Sequence, residues 1–102
     1  MTTSLVQTRF DYGRVMFTEP IIELARAQCL DVLGCLDRHL TGDWSDLSNP
    51  QRQMNDAALM CGGVLVSRFV ISDSVTLVIL THQQGRLTKL MLLNEFLDDY
   101  VD

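Results

Sequence analysis

At residues 62–71 the chain reads GGVLVSRFVI, and there the spacing of its apolar residues changes. Before this stretch apolar residues recur about every 3.6 positions, as in helices, and after it they follow the period of about 2 that is typical of strands. Three strands are predicted, over 64–71, 75–82 and 87–93. The two connections, SDS and QQGR, are so short that consecutive strands must form antiparallel hairpins.

The first half of the chain predicts a strand followed by three helices. GRVMFT at 13–18 is rich in residues that favour strands. Thr18 can cap a first helix, because Glu19 and Pro20 suit the first turn. A second helix is predicted from Asp31 to Gly42 and a third from 49 to 62, both ending at glycine. Near the C-terminus, Asn94 is expected to cap a short helical turn.

These elements predict an α+β fold. Three helices are expected on one face of a three- to four-stranded, mainly antiparallel sheet, with 13–18 as the additional strand. The chain has 102 residues, which is enough for one core. Residues 1–12 are weakly patterned and are expected to be a loosely ordered lead-in to a single domain over 13–102.

Composition and charge narrow the classes of function. Apolar residues make up 47% of the chain and charged residues 21%, as in a globular protein. The net charge is −5 with only 8 Lys and Arg, which argues against direct DNA or RNA binding, since such binding depends on counterion release by cations. A basic protein partner or solubility alone would explain the excess of acid. The sequence predicts no membrane span and no signal peptide, hence a cytoplasmic protein.

Three cysteines are present, and none is in a CxxC pair. Cys29, Cys35 and Cys61 lie among apolar neighbours, and only two histidines could complete a zinc site. We therefore expect buried thiols that pack as small apolar groups, and neither a metal nor a cofactor is predicted.

The residues that could act in catalysis or metal binding cluster in HLTGDWSD at 39–46. A catalytic interpretation takes His39 as a general base and Asp43 and Asp46 as metal ligands or acid partners, as in a hydrolase of phosphodiesters or nucleotides. The structural alternative is that both aspartates accept backbone N–H bonds in a loop. In that case Trp44 anchors the loop by burying its ring, with its N–H bonded outward.

The order of these motifs resembles a family of small proteins of plasmids, integrative elements and phages. They are called "plasmid-related protein" or, misleadingly, "type I restriction endonuclease subunit M". The resemblance covers about residues 13–96, and its specific part is GDWSD at 42–46 with NDAAL at 55–59. The family has no established activity, and the chain carries no methyltransferase motif.

One segment departs from the family pattern. Members usually continue the middle strand as Thr-Glu-x-Asp-Arg-Ser-x-Thr, whereas residues 81–88 here read THQQGRLT. The glutamate, aspartate and arginine of the pattern are missing, so a charged site at this hairpin is not carried over to this chain.

The sequence therefore favours a non-catalytic protein-binding module of a mobile genetic element, one that modulates a host or defence protein. The alternative is the metal-dependent hydrolase built on His39, Asp43 and Asp46. A homodimer that pairs through 13–18 or 87–93 is compatible with either. The residues predicted to contact a partner are Trp44, Asp46, Asp56, His82, Gln84 and Arg86.

Overall fold

A computed structural model describes residues 10–27, 31–44 and 47–100, with side chains as far as Leu97. The elements are β1 (Arg14–Phe17), α1 (Glu19–Arg26), α2 (Val32–Leu40), α3 (Asn49–Cys61), β2 (Val64–Ser72), β3 (Val75–His82), β4 (Leu87–Leu92) and α4 (Leu93–Tyr100). The predicted α+β class is confirmed, as is each predicted strand to within a residue or so at its ends. None of the helices described is long and apolar enough to cross a membrane.

The four strands form one mixed sheet in the order β1-β4-β3-β2. β2, β3 and β4 are antiparallel neighbours, and β1 lies parallel to β4. The parallel pair is allowed because the long crossover through α1, α2 and α3 separates β1 from the hairpins. β3 and β4 each have a strand on both sides, so 87–92 is not an edge, and the homodimer expected through that strand is excluded.

One face of the sheet carries most of the core. Leu77, Ile79 and Leu90 are fully buried there against Ile21 of α1 and Val32 of α2. Further along the same face a second apolar cluster contains Phe10, Leu40, Trp44, Leu47, Ala58 and Leu65. Phe10 is only 9% exposed, so the predicted loose lead-in is wrong for residue 10, while residues 1–9 lie outside the described part of the chain.

α4 packs on the opposite face of the sheet, where Phe96 contacts a cluster with Val78, Leu80 and Met91. The helix begins at Leu93, directly after β4, so the prediction that Asn94 caps it is wrong. The N-terminus of α4 is instead capped by Glu95, whose Oε1 accepts a hydrogen bond from the Leu92 N–H at 2.9 Å. The same oxygen accepts from the Thr18 hydroxyl at 2.8 Å, which ties α4 to the end of β1.

Three apolar side chains of α2 and α3 are exposed, among them the thiol of Cys61, which was expected to be buried. Leu33 of α2 and Met54 of α3 are each 71% exposed, and Cys61 is exposed at the end of α3. Both helices lie at the margin of the core and bury a narrower stripe than their apolar spacing suggests. Cys35 is half-buried, and Cys29 lies outside the described residues.

Candidate functional site

His39, in the last turn of α2, lies in the core rather than at the surface. It is 0% exposed, and both ring nitrogens have hydroxyl partners. Nδ1 is 2.6 Å from Ser67 Oγ of β2, and Nε2 is 2.8 Å from Thr81 Oγ1 of β3. Phe10 packs edge-on against the imidazole, with ring centroids 5.4 Å apart.

The hydrogen bonds of His39 belong to a buried chain of hydrogen bonds in which the donor and acceptor of each bond are fixed by the carbonyl at its end. Thr88 Oγ1 donates to the Tyr12 carbonyl at 2.7 Å, because a carbonyl can only accept. Thr88 Oγ1 lies 2.8 Å from Thr81 Oγ1, so Thr81 donates to Thr88 and in turn accepts from His39 Nε2–H. His39 Nδ1 is then the acceptor for the Ser67 hydroxyl. Every member is satisfied, and His39 is the neutral Nε2–H tautomer.

The environment of His39 keeps it uncharged. Burial lowers its pKa from 6.5 to about 3, since the imidazolium would lose its hydration in the core. The Ser67–His39 contact has the reach of a nucleophile and base, but Ser67 is only 1% exposed. A substrate has no access to either group. The two hydroxyl bonds of His39 instead hold α2 to β2 and β3.

The structure does not assemble the predicted metal site around His39. Asp43 Oδ2 accepts at 3.0 Å from Nε of Arg38, which lies in α2, and His39 is satisfied by the two hydroxyls. Asp46 lies outside the described residues. Among the residues that are described, no three of His, Cys, Asp and Glu are grouped so as to hold a metal ion. The hydrolase hypothesis has no observation in its favour.

Trp44 and the motif at 55–59 are explained by packing. Trp44 is 5% exposed, and its Nε1–H points to Asp56 Oδ1 at 3.4 Å. Asn55 Nδ2 donates to the Val66 carbonyl at 2.8 Å, and Oδ1 accepts from the Val66 N–H at 3.0 Å. Trp44 therefore anchors the loop and presents no ring to a partner. Asn55 holds α3 against β2, and Asp56 holds α3 to the loop that carries Trp44.

The other predicted contact residues lie at the turn between β3 and β4. Gln84 and Arg86 are exposed, and Arg86 Nε is 3.5 Å from Asp11 Oδ2. His82 is half-buried at the end of β3. Gln83, between His82 and Gln84, donates through Nε2 to the carbonyls of Ala58 and Gly63 at 2.8 and 2.9 Å. That pair of bonds fixes the turn to the end of α3.

A groove lies on the α4 face of the sheet, at residues that the sequence did not predict to form a site. Its volume is about 220 Å³, and it runs between α3, β2 and α4. Arg68 lies in its wall, with its guanidinium 5.7 Å from the Phe96 ring centroid. Its Nε is buried and has no hydrogen-bond partner among the residues that the structure describes. We call it the Arg68 groove, and its described lining is Leu47, Gln51, Met54, Asn55, Val64, Val66, Arg68 and Phe96.

The chemistry of the Arg68 groove is simple. Apolar side chains dominate, Met54 and Val64 are 71% and 46% exposed, and none of the described lining residues is acidic. Arg68 is the only charged residue in β2, a signal that singles out the residue in the sequence but not the groove around it. No protein-family model, curated protein or solved structure matches this chain.

Proposed function

We propose that the chain is a non-catalytic protein-binding module of a mobile genetic element, which docks on a host or defence protein through the Arg68 groove. The observation that carries the proposal is the buried Arg68 Nε, which has no partner within the described part of the chain and lies at the wall of an exposed apolar groove. A buried donor on a charged group that lacks an acceptor is costly, so an acceptor supplied by a partner would stabilise the complex.

The residues that line the Arg68 groove define which side chains a partner would place in it. Met54 is flexible and polarisable, and methionine is common on surfaces that adapt to a partner. Arg68 offers a charge-assisted hydrogen bond to a carboxylate, and Phe96 already packs against its guanidinium. We therefore expect an apolar side chain of the partner to lie beside Met54 and Val64, with a neighbouring carboxylate bound to Arg68.

The mobile-element origin rests on the resemblance of residues 13–96 to the plasmid-related proteins. Modulation of a defence protein is the role that such a context favours. The net charge of −5 adds a long-range preference for a partner with a basic surface around that carboxylate, since opposite charges steer association. A homodimer is compatible with this function, because the groove adjoins β2 and the open strand β1 lies at the other edge of the sheet.

Photo-crosslinking in bacterial cells tests the proposal. A photo-reactive residue in place of Met54 is expected to crosslink one protein that the same residue in place of Met60 does not. Met60 is the matched control, since it is 91% exposed on the same helix but points to a different side. Arg68→Gln should abolish the crosslink and Arg52→Gln should leave it intact. Equal products from positions 54 and 60, or no product from 54, would contradict the proposed surface.

A further inference from the structure

The two edge strands of the sheet, β2 and β1, differ in the partners of their outward-facing backbone groups. At the β2 edge, Asn55 of α3 satisfies the backbone of Val66. At the other edge, β1 has β4 on one side only. Exposed edges pair readily with other strands unless charge, proline or a bulge prevents it, and β1 carries only Arg14 as protection.

Two backbone hydrogen bonds between β1 and the β4 region identify which backbone groups of β1 point away from β4. The Arg14 N–H donates to the Arg86 carbonyl at 2.9 Å, and the Thr18 N–H donates to the Leu90 carbonyl at 3.1 Å. Residues of a strand alternate in the side to which their N–H and C=O point. The backbone groups of Val15 and Phe17 therefore point away from β4, and they have no partner in the part of the chain that the structure describes.

Apolar side chains continue this open edge on both faces of the sheet. Met16 is 44% exposed on the α4 face, and Phe17 is 40% exposed on the other. Phe17 borders a shallow groove of about 420 Å³ together with Ile21, Ile22, Val32 and the exposed Leu33. A partner strand would cover Met16 and Phe17 while it satisfies the backbone.

We propose that β1 pairs antiparallel with β1 of a second copy of this chain, about a two-fold axis at Met16, to give one continuous eight-stranded sheet. In this register Val15 of each copy exchanges both backbone hydrogen bonds with Phe17 of the other. Met16 then faces Met16 across the axis, at a position without backbone bonds, where side chains approach most closely. A two-fold contact of this kind is the commonest form of oligomer.

The neighbouring registers are worse. With the axis at Val15, Gly13 would have to donate its N–H to the second copy, but that N–H already donates to Asp11 Oδ1 at 3.0 Å. With the axis at Phe17, Val15 would pair with Glu19, which is in the first turn of α1. Only the register centred on Met16 uses residues 14–18 alone.

Charge complementarity favours a second copy as the occupant. In this register Arg14 of one copy lies opposite Thr18 of the other, on the α4 face. The Thr18 hydroxyl donates to Glu95 Oε1 at 2.8 Å. The Glu95 carboxylate therefore lies beside the position that Arg14 of the second copy would occupy. Arg14 is exposed and has no ion-pair partner among the described residues. The two-fold axis makes this Arg14–Glu95 pair twice.

The test is an engineered disulfide across the axis. In a background with all three native cysteines replaced by alanine, Met16→Cys is expected to form a covalent dimer under mild oxidation, because the paired Cα atoms would lie about 4.5 Å apart, within disulfide range. Arg14→Cys is the matched control. Its two copies would be about 14 Å apart, so it should remain uncrosslinked.

Sedimentation of the otherwise unmodified chain completes the test. We expect a species of twice the 11.5 kDa monomer mass. Phe17→Pro removes an N–H that has no partner among the described residues of the monomer, and should give a folded monomer with the Trp44 fluorescence of the parent. Arg14→Glu should weaken the dimer by about tenfold, whereas Arg52→Glu should not.

Three outcomes would overturn the dimer. They are a monomer at the highest soluble concentration, a dimer indifferent to Phe17→Pro, and a Met16→Cys variant that crosslinks no better than Arg14→Cys. In the first case, resistance of the Val15 and Phe17 amides to hydrogen exchange would assign the edge to residues 1–9 of the same chain. The inference does not depend on the proposed function, since the Arg68 groove lies elsewhere.

Discussion

The side chain of Asn55 pairs with the backbone of Val66 as a strand would. Its carboxamide accepts from the Val66 N–H at 3.0 Å and donates to the Val66 carbonyl at 2.8 Å. Val66 lies on the edge strand β2, so a helix side chain replaces the missing neighbour. This relationship explains why Asn precedes Asp56 in the NDAAL motif: Asn55 closes the sheet edge, and Asp56 receives the Trp44 N–H.

Replacing Asn55 by alanine should therefore leave the Val66 N–H and C=O without partners at a half-buried edge. We expect the free energy of unfolding to fall by about 1–3 kcal/mol, measured by urea denaturation. Asn55→Asp should be comparably harmful, because a carboxylate cannot donate to the Val66 carbonyl. Gln53→Ala, at an exposed site on the same helix, is the control. Equal stability of the Asn55 and Gln53 variants would contradict the bridging role.

Thr81→Val should break the buried hydrogen-bond chain at its centre. Valine has the shape of threonine but leaves His39 Nε2–H without an acceptor and Thr88 without its donor. The expected loss is about 1–3 kcal/mol. Thr76→Val, on the same strand but on the α4 face, should change stability by less than about 0.5 kcal/mol. A Thr81→Val protein as stable as the parent would show that this chain of hydrogen bonds makes no net contribution to the free energy of unfolding.

The lowered pKa of His39 predicts how stability depends on pH. Above about pH 6.5 His39 is neutral in both the folded and the unfolded chain, and stability has its full value. Between pH 6.5 and about 3 the unfolded chain binds a proton that the folded chain does not, because burial lowers the pKa to about 3. The free energy of unfolding should then fall by about 1.4 kcal/mol per pH unit.

The check is urea denaturation at several pH values between 7 and 5, where carboxylates contribute least. His39→Gln removes the titrating group and should flatten the profile, even if its stability at pH 7 is lower. In the parent, ¹⁵N chemical shifts should show the Nε2–H tautomer unchanged down to pH 5. Protonation of His39 in the folded state near pH 6 would be incompatible with its burial.

Gly13→Ala should be among the most damaging single changes in the chain. Gly13 has a φ of +65°, and a Cβ there would lie 1.9 Å from the Arg86 carbonyl oxygen, which is itself bonded to Arg14. We expect a loss of about 3 kcal/mol or more, since both the backbone strain and the clash must be relieved. Gly85→Ala is the control in the adjacent turn. Its Cβ would meet only ordinary contacts, the nearest at 3.5 Å. Thermal unfolding of the two variants distinguishes them.

The sequence by itself determined the elements and their class. The change of apolar period after Gly62, the Gly42 and Gly62 helix ends and the short hairpin connections are local signals, because capping and strand alternation depend on neighbours in the chain. It also determined the net charge, the structural alternative for Trp44 and the presence of a strand at 13–18. The position of β1 beside β4 and the burial of His39 depended on contacts between distant residues.

Only the tertiary structure decided where the chemistry lies. His39 is followed by Asp43 in the sequence, but folding places its ring between Ser67 and Thr81 and makes it a neutral structural group. Arg68 is an ordinary strand residue until α3 and α4 enclose it. β1 is an edge strand of the sheet in the described residues because β4 lies between it and β3. Burial and strand order are properties of the whole packing, and no local pattern of residues encodes them.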